Sequence, residues 1–265
     1  MISPLAHIHP EALIGENVTI DAFCVIEKGT KIGDGCHLLT HSVILEYTTL
    51  GKNCRVFPGA VIGAEPQDLK FNGEISSVEI GENTVIRECV TIHRGTVDKH
   101  KTVIGNNCLL MAYAHIAHDC IIGDHVVIAN TVQLAGHVEI GDYAIIGGLA
   151  AAIQFSKIGA HSYIAGGSEI IKDVPPFIKA GRAPLSYAGV NSVGLHRRGF
   201  SAEKVNSIQE IYRTLYLRGY NISQAKSVIE NELPDSEEKS LILDFINQSK
   251  KGILKMVAKD NSDEY

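Results

Sequence analysis

Two histidines and an aspartate crowd into the stretch Ala112–Cys120, at His115, His118 and Asp119. A neutral imidazole takes up a proton near pH 7, and an adjacent carboxylate fixes its tautomer and stabilises the charged form. General-base catalysis on a hydroxyl group suits this pair, with His118 as the base and Asp119 as its partner. Strict strand alternation would send adjacent side chains to opposite faces, so the pair needs a corner in the backbone. His137 and Gln154 come later in the chain. Gly147-Gly148 leaves backbone N–H groups unshielded by side chains, which suits either a tight turn or a donor to a developing oxyanion. From Lys179 to Lys204 five basic residues (Lys179, Arg182, Arg197, Arg198, Lys204) stand against one acid, Glu203. That local excess suits a phosphate or an acidic partner, or else a solvated loop.

A ladder of period six must position these residues. Every sixth residue from Ile8 to Ile62 is aliphatic. The count fails at Asp68 and Glu74, returns at Ile80, Ile86 and Ile92, fails at Asp98, and holds from Ile104 to Ile170. Neither the helical period nor strand alternation produces such a pattern. Glycine commonly follows the ladder residue, as at Gly33, Gly51, Gly105 and Gly141, which implies either a positive φ or a tight backbone approach. A short strand and a turn, repeated, predict an all-β parallel β-helix of hexapeptide repeats. Three such sides make a coil of about 18 residues, and residues 1–172 then give roughly nine coils stacked about 4.8 Å apart.

Where the ladder fails, at about residues 63–79 and 93–103, the chain makes excursions from the column, and loops on a rigid scaffold tend to carry function. The first holds Asp68 and Lys70, and the second opens on His93. His118 and His137, one coil plus one residue apart, fall on adjacent coils, with His115 and Gln154 on the same side. A zinc site is the rival reading. No three histidines share a coil register within the regular coils, because His100, in register with His118, lies in an excursion. A site without metal is therefore expected.

The period ends at Ile170. Residues 173–200 read as a connector, and residues 201–265 as a small C-terminal α-helical subdomain. Val205, Ile208, Ile211, Tyr212 and Leu215 recur at helical spacing behind a Ser201 cap. Asn221 or Ser223 caps a second helix running to Leu233, and Asp235 with Glu238 resembles a capping box for a third. The acidic tail Lys259–Tyr265 reads as frayed.

Of the 265 residues 20% are charged and 45% hydrophobic, with a net charge of −6, which argues against nucleic-acid binding through general electrostatics. No apolar run reaches membrane-spanning length and no signal peptide is evident, so a cytoplasmic protein without a transmembrane segment is expected. The six cysteines form no CxxC pair and several share a repeat phase, which reads as small buried apolar residues rather than a zinc or disulfide framework.

The motifs Gln67-Asp68-Leu69-Lys70, Ile92-His93-Arg94-Gly95-Thr96, His115-Ile116-Ala117-His118-Asp119-Cys120, Leu134-Ala135-Gly136-His137 and Gly194-Leu195-His196-Arg197-Arg198-Gly199-Phe200 resemble those of the acyl-carrier-protein–UDP-N-acetylglucosamine O-acyltransferase family. That family's reaction opens lipid A biosynthesis. The motifs run from residue 67 to 200, and the helical tail also fits. The resemblance implies a homotrimer of left-handed parallel β-helices, against the usual right-handed crossover rule, with active sites in clefts between subunits. It implies transfer of a 3-hydroxyacyl chain from acyl carrier protein to the 3-hydroxyl of UDP-N-acetylglucosamine. No cofactor is implied beyond the 4'-phosphopantetheine that arrives on the carrier.

By the same resemblance His118 is the general base assisted by Asp119, and Gly148 offers its N–H to the oxyanion. Asp68, Lys70, His93, His115, His137 and Gln154 contact the sugar nucleotide or the acyl-pantetheine arm. Asn191, Arg197 and Arg198 serve the nucleotide and the carrier from a neighbouring subunit, and Gly166 floors an acyl groove that admits long chains. One departure is Ile153, where the family often has a histidine, so a nucleotide contact is expected to differ. Two alternatives are a related N-acyltransferase of the same pathway and a zinc β-helix enzyme of the γ-carbonic-anhydrase type. The first carries a uridine-binding domain before its β-helix, for which a ladder beginning by Ile8 leaves no room.

Overall fold

The computed structural model describes residues 1–256. From His7 to Ile170 the chain forms strands of two to four residues that pair in parallel with the coils on either side. Three sheets of nine, eight and ten strands make the faces of a column. Successive strands visit successive faces: His115–Ile116 lies on the first, Ile121–Ile122 on the second and Val127–Ile128 on the third. One coil on, Ile116 pairs with Leu134, Ile122 with Ile140 and Ile128 with Ile146. The ladder side chains form the axis, where Ile26, Ile62, Ile92, Ile116 and Leu134 are wholly buried. Each would cost about 2–5 kcal/mol to truncate to alanine.

Two positions before a ladder residue a small side chain also points inward. Five of the six cysteines occupy this position and are buried. Their thiols donate across the coil, as from Cys36 to Gly51 O at 3.0 Å and from Cys120 to Ala135 O at 3.3 Å. Their scattered spacing is thus the repeat itself.

The turns separate the two meanings that the regular glycines allowed. Most sides end on a left-handed residue three positions before the next ladder residue, as at Asn107 (φ 56°), Asp119 (φ 59°), His125 (φ 57°) and His137 (φ 62°). The glycines after the ladder residues mostly do not take positive φ. A Cβ on Gly33 would meet Gly51 C at 2.6 Å, and one on Gly105 would meet Gly123 C and O at 2.6 Å. They are glycines because the next coil's backbone leaves no room. Gly63 (φ 90°) is an exception, where the first excursion departs.

Both excursions leave at the corner between the first and second faces, from Val61–Ala64 to Ser77–Ile80 and from Thr91–His93 to Lys101–Ile104. Ile62 pairs with Ile92 and Ile92 with Ile116, both longer steps along the chain than the single coil from Ile116 to Leu134. The insertions are two hexapeptides and one, so the phase of the ladder survives them.

The column ends on Ile178–Gly181, which continues the third face, and Ser186–Val190, which pairs with it antiparallel. Four helices follow: α1 (Ser192–Arg197), α2 (Ala202–Leu217), α3 (Ile222–Glu232) and α4 (Glu237–Gln248). The first lies inside the segment read as a connector, and Asn191 caps it. Ser201 caps α2, and Asn221 caps α3 in a capping box with Gln224. The cap of α4 is Ser236 and not Asp235. The Ser236 hydroxyl takes the Lys239 amide, which leaves Asp235 to pair with Lys239 Nζ at 2.9 Å and Glu238 with Lys204 Nζ at 2.9 Å. Buried Tyr212 on α2 docks the helices by donating its hydroxyl to Pro176 O. The tail Lys259–Tyr265 lies outside the described residues.

Close approach, rather than φ, makes a discriminating expectation. Gly105→Ala should destabilise the column by about 1–3 kcal/mol, since its Cβ overlaps backbone. Asn107→Gly, at the left-handed corner, should stay within about 1 kcal/mol of the parent. Thermal melts of the two variants test this, and equal effects would contradict it.

Candidate active site

The corner that releases both excursions also carries the singled-out polar residues. Its levels are Asp68 and Lys70 on the first excursion, His93 to Lys99 on the second, then His118-Asp119, Gly136-His137 and Gln154-Phe155. Backbone bonds lock the upper levels, from His137 N to His118 O at 3.0 Å and from Phe155 N to Gly136 O at 3.1 Å.

Because Asp119 takes the left-handed corner conformation, its carboxylate meets the preceding side chain rather than pointing to the opposite face. His118 Nδ1 donates to Asp119 Oδ2 at 2.8 Å, so Nε2 is free to act as an acceptor. Asp68 Oδ2 lies 3.9 Å from Nε2. Asp119 is wholly buried under the second excursion. It accepts the Thr96 amide on both oxygens (3.0 and 3.1 Å), the Thr96 hydroxyl on Oδ2 at 2.6 Å and the Lys99 amide on Oδ1 at 3.2 Å. Burial is the largest influence and pushes the carboxyl up. The hydrogen bonds from Thr96, His118 and Lys99 together outweigh it and hold Asp119 below the usual carboxylate range.

Three more imidazoles surround the dyad. His115 Nδ1 and Thr91 Oγ1 lie 2.8 Å apart, and the His93 ring meets His115 edge-on at 4.8 Å. His137 meets His118 edge-on at 5.1 Å and stacks on Phe155 at 4.3 Å. Burial, then the charges of His115 and His118, lowers His93 to about 4. His115 is lowered by burial and by His118, and His137 chiefly by burial. Burial therefore favours the neutral form of all three neighbours of the dyad.

His118, Asp119 and His137 bring possible ligand atoms within 4.8 Å of one another, a grouping missed by looking only for three histidines in register. A carboxylate has about four lone-pair sites, and the Asp119 oxygens already take Thr96, Lys99 and His118 donors. A cation here would have to displace them. The donor set fits a hydrogen-bonded dyad.

Gly148 lies away from His118 of its own chain. Leu149 N bonds Asn130 O, and Gly167 N bonds Gly148 O, so Gly148 stacks with Gly166 on the corner between the third and first faces. In one chain that is not the corner of His118. The glycine beside His118 is Gly136, where a Cβ would meet His118 Nε2 at 2.6 Å. Among the described residues no acceptor takes its N–H. Gly136 follows His118 by one whole coil, and that spacing was the available signal.

Lys70 and Gln154 are exposed at the same corner, and Ile153 beside Gln154 is 44% exposed. Asn191 is committed elsewhere: its Nδ2 donates to His161 O at 2.9 Å while its Oδ1 takes Gly194 N. Arg198 lies over Tyr143 at 5.5 Å and against His161, on the remaining corner, with Arg197 exposed beside it. Neither arginine adjoins His118 of its own chain. Arg94 carried no sequence signal beyond its place in a motif. Its guanidinium spans the two excursions, 5.3 Å over Phe71 and 3.4 Å from Glu65.

The family model described as "Udp N-acetylglucosamine O-acyltransferase; Domain 2" matches residues 173–254, and the bacterial transferase hexapeptide model matches residues 101–136. The chain is 45% identical over 253 residues to the acyl-[acyl-carrier-protein]–UDP-N-acetylglucosamine O-acyltransferase of Thermodesulfovibrio yellowstonii, covering 95% of this chain and 98% of the relative. It is 49% identical to the protein of the same description from Sulfurihydrogenibium sp., covering 95% and 93%. The crystal structure of the UDP-N-acetylglucosamine acyltransferase of Bacteroides fragilis superposes with a TM-score of 0.94 at 48% identity, covering 96% of this chain and all of the other. The column is accordingly a left-handed parallel β-helix with a small C-terminal helical part.

The buried neutral His93 has a consequence for stability. Below pH 6.5 the unfolded chain protonates this imidazole, whereas the folded chain resists until about pH 4. Protons then favour the unfolded state, so this contribution is lost as pH falls through that window. His93→Gln should flatten the decline of Tm between pH 6.5 and 4. Equal slopes for variant and parent would show that His93 is not responsible.

Proposed function

The chain belongs to the UDP-N-acetylglucosamine O-acyltransferase family, and on that footing we propose that it transfers a 3-hydroxyacyl chain from acyl carrier protein to the 3-hydroxyl of UDP-N-acetylglucosamine, opening lipid A biosynthesis. The observation that carries the catalytic reading is the His118–Asp119 dyad, bonded through Nδ1 with Nε2 free beside Gly136, whose N–H has no acceptor among the described residues. Nε2 removes the hydroxyl proton as the sugar oxygen attacks the thioester carbonyl. Asp119 holds the tautomer and stabilises the imidazolium. The carbonyl oxygen becomes an oxyanion, to which the Gly136 N–H beside His118 donates. Collapse expels the pantetheine thiolate, which takes the proton from His118. The transfer balances with no further cofactor.

Asp68, Lys70, His93, His137 and Gln154 share the dyad's corner, His115 lies on the first face beside it, and all six serve as contacts for the sugar nucleotide and the pantetheine arm. Arg197, Arg198 and the Asn191 region lie on another corner. They serve a neighbouring subunit's cleft in a homotrimer, and the glycine strip at Gly148 and Gly166 faces such a cleft as an acyl groove. The nearly full-length O-acyltransferase relatives favour this reading over N-acyl transfer or zinc hydration. Among the described residues no helix is long and apolar enough to cross a membrane, and we place the reaction in the cytoplasm, where acyl carrier protein is the donor.

His118→Ala should fold and lose turnover by about 10²–10⁴, the usual worth of a positioned general base. Assay with acyl carrier substrates decides it, and a folded variant within about threefold of the parent would remove His118 from that role. Gly166→Met tests the groove. A Cβ there comes to 3.0 Å from Gly148 O, so that backbone must give slightly, and the longer side chain occupies the space of terminal methylenes, each contributing about 0.8 kcal/mol when buried. The variant should prefer shorter donors with catalysis retained. An unchanged profile of kcat/KM against chain length would put the end of the groove elsewhere.

A further inference from the structure

The second excursion is built as a cap over Asp119. Its Thr96 donates through both amide and hydroxyl, and Lys99 through its amide. Gly95 permits this fold, since a Cβ there would collide with Lys101 N. The Thr96 hydroxyl, buried with its residue only 6% exposed, reaches Oδ2 at 2.6 Å, the same oxygen that receives His118 Nδ1–H at 2.8 Å. With the Thr96 amide at 3.1 Å, three donors thus share one carboxylate oxygen. A hydroxyl that stabilises the carboxylate withdraws charge from the bond to the imidazole, while also fixing where that oxygen sits.

We propose that Thr96 is a positioning residue for the acyl transfer, holding Asp119 Oδ2 in line with His118 Nδ1 and restraining the basicity that Asp119 confers on the imidazole. This rests on the reading of His118 as the base. Without the hydroxyl, Oδ2 pairs more strongly with the imidazolium, and His118 keeps its proton to higher pH. The base is then protonated over more of the working range. The other charged or titratable groups facing the dyad are Asp68 near Nε2, His137 with its neighbour Asp98, His93, His115, and Lys99, whose ammonium is paired with Glu139 at 3.1 Å. None of these side chains donates to the Oδ2 oxygen that Thr96 and His118 share.

Thr96→Val keeps the shape and removes the donor, and Thr96→Ser restores the donor. The valine also forfeits the 3.3 Å acceptor for Asp98 N, which serine retains. The acidic limb of kcat/KM against pH should move upward by about one unit in Thr96→Val, the scale of one hydrogen bond to a charged group. Its kcat should fall with KM little changed, and Thr96→Ser should return both to the parent. The His118 ring, titrated by nitrogen NMR against a His118→Gln control, should show the same upward displacement in Thr96→Val. A folded Thr96→Val with an unmoved ring titration overturns the proposal, whatever its activity. An unmoved rate profile with a displaced ring titration retains the coupling and overturns the base assignment instead.

Discussion

Each coil bonds to its neighbour through short parallel strands whose register is a whole turn, and everything at the site depends on that register. It places Gly136 over His118 and Gln154 over Gly136, although the members of each pair are a full coil apart in the chain. Aliphatic side chains on the axis hold the coils in this relation, because a slip of one residue would turn every buried ladder side chain outward. The same constraint forces glycine wherever one backbone passes against the next, at Gly33, Gly51 and Gly105.

On such a column a polar site can only be made at a corner, where the alternation of faces is interrupted. Asp119 shows why. In an extended conformation it would point away from His118; in the left-handed region it turns back onto the ring. Its burial would be costly for an isolated carboxylate. The excursion supplies amides and a hydroxyl that offset that cost, so the charge persists where water is excluded. Burial likewise favours the neutral form of the flanking imidazoles.

The excursions reconcile a regular scaffold with an irregular site. Insertions of whole hexapeptides deliver the chain to the second face in the phase it would have without them, so the column continues undisturbed above them. Arg94 ties one excursion to the other through Glu65 and Phe71, and the pair brings Asp68 to the dyad. At the far end the helices close the column through Tyr212 and its bond to Pro176 O, while Arg198 is held among the stacked rings of Tyr143 and His161.

The sequence by itself determined the repeat, its three-faced column, the places where the chain departs from it and the helical character of the end. These follow from contacts that recur identically at every rung, so a period in the chain is a period in space. The motifs that mark the family were equally local, and Gln67–Lys70, Ile92–Thr96 and His115–Cys120 could be recognised without knowing what they touch. Tertiary structure alone decided which of them meet. Most left-handed corners are taken by residues other than glycine, chiefly Asn, Asp, His and aromatic residues, and so carry little glycine signal. Gly136 reaches His118 only through the stacking of coils. The cap on Asp119 depends on an excursion folding back across the intervening chain from Thr96 and Lys99, and no periodicity records where such a loop comes to rest.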